Sequence, residues 1–195
     1  MKLRNLCLSA ALLTGSSMYA TVITYVGNLN GANESPSNAS PGTGTALVTY
    51  DTVTHMMQVE LIFSGLTSGD TAAHIHCCTA APFIGTAGVA TTTPTFTAFP
   101  GGVTAGSYLH VFDMTNASSY NPAFVTAQGS IAQAEATLFA GMAAGETYLN
   151  IHTTNFGGGE IRSFLVVAPE PATLGFVGLA LAGLLAFGRN RRLSA

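Results

Sequence analysis

Between residues 21 and 168 the chain repeats one pattern, a short run of β-branched and aromatic residues closed by turn formers. The runs are "TVITYVGNL", "GTALVTYD", "HMMQVELIFSGL", "AAHIHC", "GVATTTPTF", "GSYLHVFDM", "ETYLNIHT" and "EIRSFLVV". Strands this short, at this spacing, predict an all-β sandwich or barrel. One segment breaks the pattern. "SIAQAEATLFAGMAAG" is rich in helix formers, with Ser130 and Gln133 placed as a capping box and Gly145 as a stop. It predicts one short helix near residues 130–143. "NESPSNASPGTG" reads as a loop.

Apolar residues make up 48% of the chain and charged residues 8%, the reverse of a disordered composition, so a core can be buried. The charges are unevenly placed. Lys2 and Arg4 lie at the start, and Arg189, Arg191 and Arg192 at the end. Between residues 21 and 168 Arg162 is the one base against eight acids, a net −7 that the whole-chain value of −3 conceals. An acidic body without a basic patch excludes nucleic acid as the expected partner.

Both ends read as addresses. "MKLRNLCLSAALLTGSSMYA" has a basic start, an apolar run from Leu6 to Leu13 and small residues after it. That is the layout of a secretory signal peptide over residues 1–20, cut near Ala20, and Cys7 would leave with it. At the other end, residues 171–188 carry no charge. As a helix they would span roughly 27 Å, close to the ~30 Å hydrocarbon core, so a transmembrane helix is expected there. The arginines that follow would stay on the cytoplasmic side, leaving the body outside. Pro169-Glu170-Pro171, the apolar stretch and the Arg189, Arg191, Arg192 cluster resemble the PEP-CTERM sorting signal of Gram-negative bacteria. The resemblance covers residues 169–195. It implies export through the inner membrane, recognition by an exosortase-type membrane peptidase, and removal of the tail near the Pro-Glu-Pro motif. The protein would then end at the cell surface or outside the cell.

The body, residues 21–168, resembles the CHRD domain. Three stretches carry the likeness, in matching order and spacing: "GANESPSNASPGTGTALVTYD", "AAHIHCCTAAPFIGTAGVA" and "YLNIHTTNFGGGEIRSFL". The resemblance implies a compact β-sandwich-like module whose molecular activity the family leaves undefined. The chain departs from the family at Cys77-Cys78, where glycine commonly follows the second histidine.

The densest set of reactive side chains lies in "AAHIHCC". Residues two apart in a strand share a face, so His74 and His76 point the same way. In "ETYLNIHT", Tyr148, Asn150 and His152 share a face. Were these two strands neighbours, His152 would join the pair, and three imidazoles could hold zinc or copper. Copper–zinc superoxide dismutases also carry a His-x-His strand on a sandwich, a partial analogy, and an Ig-like or superoxide-dismutase-like sandwich is the expected architecture. The competing expectation is that these imidazoles hydrogen-bond backbone and hold loops. His55 and His110 stand alone in their strands and are expected to be structural. Cys77 and Cys78 have three options: a vicinal disulfide in an oxidising compartment, a shared soft metal beside the histidines, or no bond. Glu160 and Arg162, two apart, are expected on one face, with Arg162 in a structural role paired to Glu160 or another carboxylate. The Asn-x-Ser triplets at Asn33, Asn38 and Asn116 matter only in a glycosylating pathway.

No Gly-x-Ser-x-Gly, P-loop or His-Glu-x-x-His motif is present. The first functional expectation is a non-enzymatic exported module of the cell surface or extracellular matrix. It would need no cofactor, and would meet the exosortase and membrane during sorting and matrix polysaccharide or surface proteins afterwards. The alternative is a copper or zinc redox protein using His74, His76 and His152.

Overall fold

The computed structural model describes residues 22–169. The expected signal peptide and transmembrane helix lie outside the described residues. Among the described residues no helix is long and apolar enough to cross a membrane.

The fold is mostly β, a single curled sheet with two short helices. Its strands are β1 (Val22–Asn30), β2 (Thr43–Asp51), β3 (Met56–Ser64), β4 (Asp70–His76), β5 (Gly106–Asp113), β6 (Tyr148–Thr153), β7 (Ile161–Phe164) and β8 (Val166–Val167). Their order is β4-β6-β7-β1-β2-β3-β5, with β8 also paired to β1. All pairings are antiparallel. The strands are therefore continuous through β1, so the expected sandwich takes the form of one β-sandwich-like curled sheet. The turning point is β1. Its whole length pairs with β2, while its other edge is shared between β7, at Asn30↔Arg162, and β8, at Tyr25↔Val167.

On β1, β2, β3 and β5 burial follows period two. Tyr25 and Leu29, Val48 and Tyr50, Val59 and Leu61, and Tyr108 and Phe112 point into one core. The other face is open to solvent. The β4-β6-β7 part differs, since nearly every residue of both faces is covered. Ala73, Ile75, Leu149, Ile151 and Ile161 fill the core side, each at 0% exposure. Burying a leucine or isoleucine side chain contributes about 1.5–3 kcal/mol. The opposite side carries the polar residues that form the candidate site.

The helix expected near 130–143 is α2 (Ile131–Ala144), with Ser130 Oγ accepting from Gln133 N and Gly145 in the left-handed region. Its buried residues Ala134, Glu135, Leu138, Phe139, Gly141 and Met142 form one helical stripe. The expectation of a single helix is corrected by α1 (Pro122–Gln128), capped by Asn121, opened by Pro122 and closed by Gly129. "GVATTTPTF" forms no strand. Pro94 has no N–H to give to a ladder. The segment instead runs along the edge of β4: Ala90 N and Phe96 N donate to Ile75 O and Ala73 O. The hydroxyls of Thr91 and Thr95 accept from Ile75 N and Ala73 N.

Candidate functional site

The register of β4 against β6 sets the site. His74 lies opposite Asn150, His76 opposite Tyr148 and Ala72 opposite His152. The next strand puts Arg162 beside Asn150 and Phe164 beside Tyr148. The three imidazoles sit on one face, with ring centroids 5.3 Å apart for His74–His152, 5.8 Å for His74–His76 and 6.1 Å for His76–His152.

Each ring is held by one backbone carbonyl. His74 Nε2 lies 2.5 Å from Pro94 O, His76 Nδ1 2.9 Å from Ala87 O, and His152 Nδ1 2.9 Å from Gly157 O. A carbonyl only accepts, so these three nitrogens carry the hydrogens. That leaves lone pairs on His74 Nδ1, His76 Nε2 and His152 Nε2. His76 Nε2 is 3.0 Å from the side-chain amide of Asn150, placed with its oxygen at that position. An unprotonated Nε2 accepts, so a bond there needs the amide's NH2 end. His74 Nδ1 and His152 Nε2 are buried and have no hydrogen-bond partner. One ligand atom from each histidine lies within 4.8 Å of the others, and among the described residues no cysteine or carboxylate joins that cluster.

Burial penalises the charged imidazolium. It pushes His76 down to about 4, and holds His74 and His152 below the usual histidine range. At neutral pH all three are uncharged, the form in which an imidazole offers a lone pair.

Arg162 is structural glue at the far side of the site. Its guanidinium lies over the rings of Tyr148 at 4.6 Å and Phe164 at 5.6 Å, and Tyr148 stacks in turn on His76 at 4.6 Å. Nε donates to Asn33 O and Nη1 to Gly85 O at 3.2 Å, tying two loops to β7. Its carboxylate is Glu34, with Oε2 3.8 Å from Nε. Burial outweighs that attraction and raises Glu34 to about 7, and Oε1 has no partner. The expectation that Glu160 and Arg162 share a face is corrected. Glu160 precedes β7 and bonds instead to Ser40 Oγ, Thr67 N and Thr153 Oγ1 at 2.6–2.7 Å. Burial alone would raise its pKa; these bonds more than offset it and hold the carboxyl below the usual range. Glu34 lies in the first stretch that carries the CHRD likeness, but nothing in the sequence pairs it with Arg162; the fold brings its loop there.

The sulfurs of Cys77 and Cys78 lie against each other, as a vicinal disulfide would place them. The sulfurs face α2, near Thr137 O at 3.9 and 3.7 Å and against Gly141, and not the histidines. A shared thiolate–imidazole site is therefore not formed. His55 bonds Glu135 at 2.7 Å, and His110 packs on Phe112. Asn38 donates to Glu160 O, and Asn116 caps a short helical turn. Two hollows of about 370 and 280 Å³ lie on the outer face of β1–β3, both lined by Asn28, Thr45 and Ile62, and neither by a histidine.

The CHRD domain matches residues 25–165, which take in β1 from Tyr25, strands β2 to β7 and both loops that cover the histidines. The chain belongs to the CHRD family. The PEP-CTERM protein-sorting motif matches residues 167–192, so the CHRD domain is followed at once by an address for exosortase-type processing. That motif marks an exosortase-sorted extracellular protein. No curated protein and no solved structure matches the chain.

Proposed function

We propose that the mature protein is a non-enzymatic CHRD module displayed on the cell surface or in the extracellular matrix. Both end segments, residues 1–20 and the tail from the Pro-Glu-Pro motif, are removed on the way. The observation that carries this reading is the direct junction of a closed β domain with a sorting motif: β8 ends at Val167, where the motif begins. The polar interior supports it as well, since its contacts tie loops to strands. The surface left for matrix polysaccharide or surface proteins is the outer face of β3 and β5, where Ile62, Leu109 and Val111 are exposed. Deleting the host's exosortase-type peptidase tests the reading. The protein should then stay in the membrane fraction with its tail attached. Unchanged appearance at the surface would contradict it.

A further inference from the structure

We infer that His74, His76 and His152 form a binding site for one zinc- or copper-class cation. The inference goes beyond the surface-module reading and does not depend on it.

Three observations carry it. The first is convergence, since one ligand atom of each ring lies within 4.8 Å of the others. The second is orientation. All three rings spend one nitrogen on a backbone carbonyl, of Pro94, Ala87 and Gly157, and so keep a lone pair on the other. A metal-bound histidine is held in this way, its second N–H fixed by a carbonyl or carboxylate. The third is cost. His74 Nδ1 and His152 Nε2 are buried acceptors without a donor, and groups of that kind are retained in folds when something else pairs them. No protein cation serves. Arg162 is turned to Glu34 and to the carbonyls of Asn33 and Gly85, with the Tyr148 ring between it and His76.

Imidazole nitrogens suit zinc and copper, and three of them leave a fourth position for water or an outside ligand. Tetrahedral zinc needs bonds of about 2.0–2.1 Å, hence nitrogens roughly 3.3 Å apart. The rings must therefore draw together on loading, which would tighten the loops that supply Ala87, Pro94 and Gly157. A single buried water is the competing occupant. It could donate to His74 Nδ1 and His152 Nε2 while Asn150 serves His76.

The test is calorimetric titration of the chelator-stripped protein with Zn²⁺ and, separately, with Cu²⁺. One equivalent of at least one ion should bind, and the Tm should rise by about 5–10 °C at a hundredfold excess over Kd. His74→Ala and His152→Ala should each weaken binding at least tenfold, and His110→Ala should leave it unchanged. Where a histidine variant does not fold, the wild-type Cu²⁺ spectrum decides, by nitrogen hyperfine splitting from three imidazoles. Absence of uptake by folded wild-type protein would overturn the site in favour of water. Uptake that survives in His74→Ala, or a spectrum without histidine nitrogen, would overturn it as well.

Discussion

At the scale of single residues, the structure explains choices that the sequence leaves arbitrary. Gly141 sits inside α2, where glycine ordinarily costs about 0.5–1 kcal/mol relative to alanine. A Cβ there would come 2.5 Å from Cys78 Sγ and 2.9 Å from Cys77 Sγ. Gly141→Ala should therefore destabilise, by about 1–3 kcal/mol, as overpacking does. Urea melts would check this, and a variant as stable as wild type would refute the close packing. Glu34 gives a pH test. Its carboxyl is raised from 4.5 to about 7 in the fold, chiefly by burial, so its contribution is complete below pH 4.5 and lost as pH rises through 7. The buried histidines run the other way: with His76 lowered from 6.5 to about 4, their contribution is complete above pH 6.5 and lost as pH falls toward 4. Glu34→Gln should gain on wild type between pH 4.5 and 7.5. An equal stability difference at both ends would show that Glu34 titrates normally.

At the scale of elements, the strands were legible as short β-branched and aromatic runs closed by turn formers. In β1 and β3 the structure then sorts those runs into two faces, with Tyr25, Leu29, Val59 and Leu61 turned to the core. The helix over 131–144 was legible from its cap, its stop and its run of helix formers. The seven residues of α1 show too little periodicity to stand out, although Asn121, Pro122 and Gly129 punctuate them. "GVATTTPTF" misled because β-branched residues favour strands, while what the edge of β4 uses is the threonine hydroxyl. Thr91 Oγ1 accepts from Ile75 N at 3.0 Å, in a residue of 0% exposure. Thr91→Val keeps the shape and removes that acceptor. It should cost about 1–3 kcal/mol, the penalty of a buried unpaired N–H, and speed amide exchange at Ile75. Unchanged exchange there would mean that the loop does not guard this edge. The histidine triad was legible as far as strand alternation reached. The carbonyls that orient the rings, and the Glu34–Arg162 pair, come from loops whose paths no local pattern fixes.

At the scale of the whole molecule, the account joins a curled CHRD sheet to a tail that sends it out of the cell. Residues 25–165 supply the domain and 167–192 the address, with a single residue between the two matches. The polar face of β4-β6-β7 is sealed under loops held by Arg162 and three histidines, while the outer face of β3 and β5 stays open. On the proposed reading, such a module meets its surroundings through that open face. On the same reading, its tail is needed only until sorting is complete. The intact mass of the protein taken from the surface fraction of its native host tests this most directly. The account predicts a single species lacking about 20 residues at the front, as for a cleaved signal peptide, and the residues beyond the Pro-Glu-Pro motif at the end. A full-length mass in that fraction would contradict it.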